Sequence, residues 1–458
     1  MALHGNAFTC QRDGLVIRGY EFLPGDVAGR AENLPVLIMS HGFKSSHREM
    51  DPYGRYFAGK GYACYTYDFC GGGPKGKSDG KTTDMSVRTE MEDLQAVLSH
   101  VESLDYTDNA RIYLMGCSQG GFVSALTAAA LPEQIAGLLL FYPAFSIPDD
   151  ARAGRLMNTS YDPENLPETI KCGAMTIGRI YPEEAQRIHE FAEAAGYTGP
   201  VLILHGTADP VVNVAYSRAL WLTYQTGAAP GAGAGTEGGS PQASCADGGM
   251  KSAHTSPAKD NQGGIVPQEC GTAEQLSVPP SLPEGCTPRP DCQLLLIGGA
   301  GHGFLMNRAN HRKSLFAAEE FLKGYTEVLT IDVRLTDSVM ERHGLRTHLE
   351  LPFGGTGKSP YFEGEIGPGA RDVQEILWIK ALSKCADYTL AGRDYTGTAC
   401  SVHIVNRDDG NGWKPTVTTD SAALSFLNGA DCDALLENRK CGPIVRIYTR
   451  VPLIGTSL

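Results

Sequence analysis

A serine between glycines has the setting that points most directly to chemistry in this sequence. Ser118 lies in the segment Gly116-Cys117-Ser118-Gln119-Gly120, after the apolar run 111–115 and before the helix-like stretch 121–126. A strand, G-x-S-x-G and a helix in this order are the pattern of a nucleophile elbow, a turn so tight that only very small residues fit two positions before and after the serine. The turn exposes the hydroxyl at a helix N-terminus, where developing negative charge is favoured. We therefore predict that Ser118 is a nucleophile.

A serine hydroxyl needs a base to remove its proton, and the base needs an acid to orient it. Asp209 follows the strand-like run 201–204, and His302 follows the strand-like run 293–297 with a glycine on either side. The order serine, acid, histidine, each after a later strand, is the order that accompanies a nucleophile elbow. The pattern predicts that Ser118, Asp209 and His302 act as a catalytic triad.

An oxyanion that forms during acyl transfer needs two backbone N–H donors. One donor is expected at Gln119, directly after the serine. The second is expected on the loop after an early strand, and Phe43 occupies that place in His41-Gly42-Phe43, after the run 35–40. We predict that the amides of Phe43 and Gln119 form the oxyanion hole.

Each of these residues also has a plainer interpretation. G-x-S-x-G occurs by chance, Asp209 could cap the helix that follows it, and His302 could be a loop histidine with a structural hydrogen bond. His41 and His205 are rival histidines, for which a structural hydrogen bond is favoured over base catalysis. It is the arrangement of all the elements in the correct chain order that favours catalysis.

One motif is misleading. The segment 71–78, GGGPKGKS, fits the phosphate-binding P-loop pattern. That loop requires a helix to begin at its Lys-Ser pair, but Asp79-Gly80 follows and the helical spacing starts only near Val87. We do not predict phosphate binding there.

Composition limits the class of protein. The chain has 458 residues with 42% hydrophobic and 20% charged residues and a net charge of −13, which suits a soluble protein of two or three domains and disfavours nucleic acid or anionic membranes as partners. The N-terminus lacks the basic and apolar regions of a signal peptide, and thirteen cysteines without an export signal favour reduced thiols. We expect a cytoplasmic protein without metal or cofactor.

Strand-like and helix-like segments alternate over residues 1–325, which predicts a mostly parallel sheet covered by helices. The strand-like segments are 15–22, 35–40, 62–67, 111–115, 136–141, 201–204 and 293–297, and a helix is expected over 87–104. Residues 146–199 interrupt the pattern and are interpreted as a lid. Residues 227–291, rich in Gly, Ala, Pro and Ser, are interpreted as a low-complexity insertion without chemistry.

Residues 326–458 have a different character and are predicted to form a second, small domain. Strand-like runs at 330–335, 347–351, 387–391, 400–406 and 444–451 alternate with turn residues, which is typical of a small antiparallel sheet or barrel. Asp387, Asp394, His403 and Asp408 could line a cup in it, although exposed strand and turn positions are the favoured interpretation.

With these motifs in place, residues 1–325 resemble the feruloyl/cinnamoyl esterases of the α/β-hydrolase superfamily. The resemblance rests on the following segments: His41-Gly42-Phe43, Tyr67-Asp68-Phe69 with Ser78-Asp79-Gly80, the elbow, His205 to Asp209, Gly301 to Phe304, and the lid segments Asp149-Asp150-Ala151, Tyr161-Asp162-Pro163 and Gly178 to Tyr181. It implies an α/β-hydrolase fold with an inserted lid, an acyl-enzyme mechanism on a small-molecule ester, and no cofactor.

The resemblance also implies substrate contacts in the lid. By position, Asp150 and Tyr181 would bind the phenolic hydroxyl of a hydroxycinnamoyl ester, and Met157 stands where some of these esterases have a glutamine. Residues 326–458 resemble small lipocalin-like barrel domains, through 361–365 and 418–421. A serine peptidase or thioesterase on the same triad, or a non-catalytic binding protein on a hydrolase fold, remains an alternative, and a homo-oligomer remains open.

Overall fold

The computed structural model describes residues 5–25, 33–229, 288–336, 339–378, 380–408, 413–439 and 442–451, with isolated positions at 280, 282, 283 and 286. Nearly all of the segment 227–291, interpreted above as a low-complexity insertion, lies outside the described residues.

Buried strands alternate with helices in the first part of the chain, as the sequence pattern predicts. In chain order the elements are β1 (Asn6–Arg12), β2 (Leu15–Phe22), β3 (Leu34–Ser40), α1 (Asp51–Ala58), β4 (Ala63–Tyr67), α2 (Val87–Glu102), β5 (Thr107–Cys117), α3 (Gln119–Ala130) and β6 (Gly137–Phe141). Strands β4 and β6 are buried at every position because both faces of the sheet are covered by helices. Strand β1 is not predicted above, since Phe8 is its one buried residue and no apolar run marks it.

The segment interpreted as a lid lies between β6 and the next strand of the sheet. Its elements are short: α4 (Ile147–Arg152), β7 (Arg155–Leu156), β8 (Thr159–Ser160), β9 (Thr169–Cys172), β10 (Met175–Gly178), α5 (Ile180–Ala185) and α6 (Glu190–Ala194). Strands β7 and β8 pair with each other, as do β9 and β10, and neither pair joins the large sheet.

The first sheet is completed by β11 (Val201–Gly206), α7 (Val214–Thr226), β12 (Cys292–Ile297) and α8 (Arg308–Leu322). Its strand order is β1-β2-β4-β3-β5-β6-β11-β12, in which β1 and β2 are antiparallel to their neighbours and the strands from β4 to β12 are parallel. The carboxyl ends of β3, β5, β11 and β12 therefore lie along one edge, which is where an α/β sheet places its functional loops.

The segment 71–78 forms turns, and the next helix, α2, begins only at Val87. The Ser86 side chain caps α2 by accepting a hydrogen bond from the Thr89 amide, and the Thr89 side chain accepts one from the Ser86 amide. No helix begins at the Lys77-Ser78 pair, so the P-loop geometry is absent there.

The second part of the chain is a closed antiparallel β-barrel, in agreement with the prediction. Its strands are β13 (Thr326–Leu335), β14 (Val339–His343), β15 (Arg346–Lys358), β16 (Phe362–Ile366), β17 (Arg371–Leu377), β18 (Lys380–Asp394), β19 (Ala399–Asp408), β20 (Trp413–Thr419), β21 (Cys432–Glu437) and β22 (Ile444–Thr449). The order β13-β22-β21-β20-β19-β18-β16-β15 closes because β15 also pairs with β13. Strand β17 pairs with β15 and β18 beyond the end of β16.

A buried arginine joins the two parts. The Arg446 side chain is 1% exposed and donates to the carboxylates of Glu327 and Glu437, both at 2.9 Å, and to the Leu296 carbonyl oxygen of β12 at 3.3 Å. Lys313 of α8 pairs with Glu437 at 2.5 Å. The barrel is thus attached to the edge strand of the first sheet by charges that are largely removed from solvent.

Among the described residues, no helix has both the length and the apolar character that crossing a membrane would require.

Candidate active site

The backbone around Ser118 is strained as a nucleophile elbow requires. Ser118 joins β5 to α3 with φ 54° and ψ −120°, a conformation that non-glycine residues rarely adopt. A Cβ on Gly116 would lie 2.2 Å from the Gly120 carbonyl oxygen, and one on Gly120 would lie 2.4 Å from the carbonyl oxygens of Ser40 and His41. Both glycines are therefore required by sterics.

The three residues predicted to form a triad are brought together. His302 Nε2 lies 3.0 Å from Ser118 Oγ, and His302 Nδ1 lies 2.8 Å from Asp209 Oδ2. Because the carboxylate can only accept, Nδ1 carries a proton and Nε2 is free to accept the serine proton. The Tyr142 ring packs against the imidazole at a centroid distance of 4.6 Å.

Asp209 is buried and remains charged. Burial by itself raises the pKa of Asp209, but hydrogen bonds from His205 and His302 and from the Val212 amide outweigh it and hold the pKa well below its usual range. The carboxylate oxygen that accepts from Nδ1 of His302 also lies 3.2 Å from His205 Nε2. The other oxygen accepts from the amides of Val211 and Val212, at 2.8 and 3.0 Å.

The two amides predicted to form the oxyanion hole border the same pocket as Ser118. Phe43 and Gln119 both line it, and neither amide donates a hydrogen bond to another described residue. A hydrogen bond holds the loop that carries Phe43 in place, because the Gly42 amide donates to Glu49 Oε2 at 3.0 Å. Gln119 is the first residue of α3, so the positive end of the helix dipole lies beside the predicted oxyanion hole.

The Gln119 side chain lies in a buried chain of hydrogen bonds. Its Nε2 donates to Glu90 Oε2 at 2.7 Å, and its Oε1 accepts from the Tyr181 hydroxyl at 2.6 Å. Burial raises the pKa of Glu90 well above its ordinary value. This chain links α2, the elbow and the lid helix α5.

A pocket opens above Ser118, between the elbow and the lid. It contains about 860 Å³ of space, the open mouth included. Its apolar lining residues are Phe43, Ala144, Ile147, Ala151, Leu156, Pro210, Val211 and Val212, and its polar lining residues include Ser146, Asp150, Arg155, Asn158, Tyr161 and Tyr181.

The three predicted substrate contacts all line this pocket. Asp150 pairs with Arg155 at 3.0 Å, Tyr181 is 3% exposed with its hydroxyl donated to Gln119, and Met157 is 53% exposed with φ 54°. Their role toward a substrate remains a prediction.

The rival histidines are occupied by structural hydrogen bonds. His41 Nε2 accepts from the Phe69 amide at 3.2 Å, and His205 is bonded on one side by the Ser217 hydroxyl at 2.7 Å and on the other by Asp209 and the Val212 carbonyl oxygen. His205 nevertheless orients Asp209, a supporting role that the sequence analysis missed. Glu49 and Glu90 were missed as well, since no motif marks them.

Among the described residues, no group of three or more His, Cys, Asp or Glu side chains has the arrangement that could hold a metal ion.

Known proteins resemble part of this chain. Residues 31–166 match the Hydrolase_4 family model, described as serine aminopeptidase, S33; the match includes Ser118 but ends before Asp209 and His302. The quorum-quenching protein AidA of Acinetobacter baumannii strain MDR-ZJ06 is 30% identical over 97 residues, 21% of this chain and 31% of that protein. An uncharacterized 31.7 kDa protein of Escherichia coli, from the traX-finO intergenic region, is 31% identical over 102 residues, 22% of this chain and 34% of that protein.

The chain thus spans about a third of the length of these curated relatives. Among solved structures, ferulic acid-bound Est1E from Butyrivibrio proteoclasticus is similar at 23% identity and a TM-score of 0.48, over 68% of this chain and 98% of that one. The match over residues 31–166 and the strand order together show an α/β-hydrolase fold in the N-terminal part of the chain.

Proposed function

We propose that this protein is a serine carboxylic ester hydrolase that acts on small aromatic esters, including hydroxycinnamoyl esters of the feruloyl type. The observation that carries the proposal is the continuous hydrogen-bonded series Ser118–His302–Asp209 at the floor of the pocket. Such a series, with a strained serine and unused amides beside it, is what acyl transfer needs.

The mechanism follows from the positions of these groups. His302 Nε2 takes the proton of Ser118 as its oxygen attacks the ester carbonyl, and Asp209 stabilises the imidazolium through Nδ1. The amides of Phe43 and Gln119 hold the negative oxygen of the tetrahedral intermediate. The imidazolium then gives its proton to the leaving alcohol. Water attacks the acyl-enzyme with His302 again as base, which releases the acid and restores Ser118.

The pocket supports an aromatic acyl group. Many of its lining residues are apolar, and the aromatic rings of Phe43 and Tyr181, which both line it, pack on each other with their centroids 5.7 Å apart. The polar groups of Asp150 and Arg155 lie on the lid side, where they can bind a ring hydroxyl. An apolar wall with a few polar groups is the usual arrangement of a small-molecule site.

Substitution of the nucleophile tests the reaction. Ser118→Ala is expected to lower kcat/KM for methyl ferulate by at least about 10⁴-fold, because no other group can form the acyl-enzyme. Ser124→Ala is the matched control: this serine lies in α3, the helix that follows Ser118, and its hydroxyl donates to the Gly120 carbonyl oxygen rather than to His302. Unchanged thermal unfolding in Ser118→Ala shows that the fold is retained. Activity within tenfold of the wild-type value would contradict the proposal.

A serine peptidase is the second candidate, because the matching family model is described as a serine aminopeptidase. Methyl ferulate, a feruloyl thioester and an aminoacyl arylamide distinguish the alternatives when kcat/KM is compared on one preparation. The proposal predicts the largest value for the ester. A larger value for the arylamide or the thioester would assign the site to a peptidase or a thioesterase.

A further inference from the structure

Strands β14, β15, β17 and β18 continue beyond the closed part of the barrel. Strand β15 pairs with β13 only from Phe353 onward, and its earlier part, 346–352, pairs with β14 on one side and with β17 on the other. Strand β18 pairs with β19 only from Lys384 onward. Together these strand ends form a four-stranded extension of the barrel, in which β14 pairs with no described strand other than β15.

The extension ends in two turns that lie side by side, one between β14 and β15 and the other between β17 and β18. The Trp378 amide of the second turn donates to the Leu345 carbonyl oxygen of the first at 2.6 Å. We call this end, formed by positions 339–346 and 376–380, the tip. None of its described residues lines the pocket above Ser118.

Large apolar side chains are concentrated on the surface of the tip. Trp378 is 72% exposed and Leu345 is 67% exposed, and Val339, Met340 and Leu377 are exposed as well. In the described part of the chain ten large apolar side chains are exposed, and these five are half of them. Single exposed apolar residues are normal, but a group of five in and beside two adjacent turns marks a contact surface.

The tip is also positively charged, although the chain has a net charge of −13. It contains three cationic residues, Arg342, Arg346 and Lys380, against one acidic residue, Glu341. Arg342 and Arg346 are exposed and form no ion pair with another described residue, while Glu341 lies 3.9 Å from His343. The two guanidinium groups are therefore available to an anionic partner.

Apolar and cationic side chains occur on both faces of the tip. Met340 and Arg342 point to one face, and Arg346 and Leu377, which are directly opposed, point to the other. A flat protein surface would cover one face only, whereas the interface of a bilayer surrounds a tip that enters it end-on. Tryptophan and leucine beside arginine are the side chains that suit the boundary between lipid headgroups and acyl chains.

Charge distinguishes a bilayer from a second copy of this chain. Contact between two tips would bring the unpaired arginines of both molecules together, whereas anionic headgroups supply the opposite charge. The net charge of −13 disfavours contact between the rest of the protein and an anionic bilayer. At physiological ionic strength charges are screened beyond about 8 Å, so the tip interacts with headgroups locally.

We propose that the tip inserts into the interfacial region of membranes that contain anionic phospholipids. Trp378 and Leu345 enter the boundary between headgroups and acyl chains, and Arg342 and Arg346 pair with anionic headgroups. This surface is separate from the hydrolase pocket and does not depend on the function proposed for Ser118.

Co-flotation of the full-length protein with phospholipid vesicles tests this proposal. We expect binding to phosphatidylcholine vesicles with about 30% phosphatidylserine at about 0.1 M salt, and binding at least about fivefold weaker at about 0.5 M salt or to phosphatidylcholine alone. Trp378→Ser should weaken binding about tenfold or more, because it removes the largest apolar side chain of the tip. Arg342→Gln should weaken it about fivefold, the usual contribution of one arginine beside an anionic bilayer.

Matched controls lie outside the tip. Met306→Ser removes an exposed apolar side chain, and Arg308→Gln removes an exposed arginine. Both variants should bind the anionic vesicles within about twofold of the wild type, because neither residue belongs to the surface proposed to enter the bilayer. Thermal unfolding of Trp378→Ser should match that of the wild type, since the side chain is mostly exposed, and this shows that its loss of binding does not come from unfolding.

Three results would overturn the proposal. They are the absence of binding to anionic vesicles, equal binding to neutral and anionic vesicles, and full binding by Trp378→Ser. Sedimentation velocity without lipid tests the second copy as occupant of the tip. A wild-type dimer that is lost in Trp378→Ser would assign the tip to a contact between two copies and would equally overturn the proposal.

Discussion

The geometry around Ser118 is set in part by residues that make no direct contact with it. Asp209 is held in place by His205 and by two backbone amides, and the Gln119 side chain is fixed between Glu90 and Tyr181. In the proposed mechanism the base must be aligned with its serine to within a fraction of an ångström, so these contacts matter as much as the three proposed catalytic residues themselves. The hydrogen bond from Tyr181 to Gln119 also connects the lid to the elbow.

Asp150 is the residue that tests the substrate class. Asp150→Ala should raise KM for methyl 4-hydroxycinnamate about tenfold, the effect of losing one charge-assisted hydrogen bond to the phenolic hydroxyl. Methyl cinnamate is the matched substrate, because it has the same acyl skeleton without that hydroxyl, and its KM should change little. Steady-state kinetics on both esters measures the difference. Equal changes would show that Asp150 acts on the pocket through its pair with Arg155 rather than on the phenol.

The sequence predicted Ser118, Asp209 and His302 because each follows an apolar strand in a known order. It could not predict His205, Glu49 or Glu90 as supporting residues, because their partners are fixed by packing rather than by spacing.

The lid is attached to the body by contacts from its β9–β10 hairpin and from its helix α6. Lys44, next to Phe43, donates to the Cys172 carbonyl oxygen of β9 at 3.3 Å, and Thr82 donates to the Thr176 carbonyl oxygen of β10 at 2.5 Å. Arg88 of α2 pairs with Glu193 at 2.8 Å. The pocket is therefore largely formed before a substrate arrives.

The elbow requires glycine at position 120. Gly120→Ala should destabilise the protein by more than about 2 kcal/mol and reduce ester hydrolysis, because its Cβ would push on the backbone oxygens of Ser40 and His41 beside the oxyanion loop. Gly301→Ala is the matched control, since a Cβ there meets nothing closer than 3.9 Å, although His302 is adjacent. Urea denaturation and ester kinetics compare the two variants. Equal tolerance would contradict the steric account of the elbow.

Elements with long apolar runs were the ones that the sequence predicted well. Strand β2 and the start of α2 match the expected positions, whereas β15 and β18 extend far beyond the expected runs. Their outer positions are polar, so only the inward half of the pattern marks them. The paired lid strands are too short for any periodicity.

The junction between hydrolase and barrel is the main feature at the scale of the whole molecule. Beside Arg446, a second group of charges joins α8 to β20 and β21: Glu320, Lys323, Lys414 and Asp433. Burial and the neighbouring Asp433 raise the pKa of Glu320 to about 7, even though Lys323 donates to it at 2.7 Å. The junction is therefore expected to respond to pH.

The raised pKa of Glu320 decides how the stability of the folded protein changes with pH. Folded protein binds the Glu320 proton more tightly than unfolded protein does, so this contribution to stability is full below about pH 4.5 and is lost as pH rises through about 7. Glu320→Gln should match the wild type near pH 4.5 and be more stable at pH 8, by up to about 3 kcal/mol. Denaturant unfolding across this range measures the difference.

The neighbouring Glu319 serves as a control, because its pKa is shifted in the opposite direction to that of Glu320. Hydrogen bonds from Tyr56 and Lys60 outweigh the effect of burial and lower its pKa, so its contribution is present at neutral pH and is lost on acidification. Glu319→Gln should therefore be less stable than the wild type at neutral pH. A Glu320→Gln profile parallel to that of the wild type would contradict the assignment of Glu320.

Covalent labelling with a fluorophosphonate probe tests the central claim most directly, because it needs no knowledge of the physiological ester. The full-length protein is treated with the probe, and the modified residue is mapped by peptide mass spectrometry. We expect one adduct on Ser118 that is absent in Ser118→Ala and forms much more slowly in His302→Ala. Folded protein that forms no adduct on Ser118 would contradict it and favour a non-catalytic binding protein on a hydrolase fold.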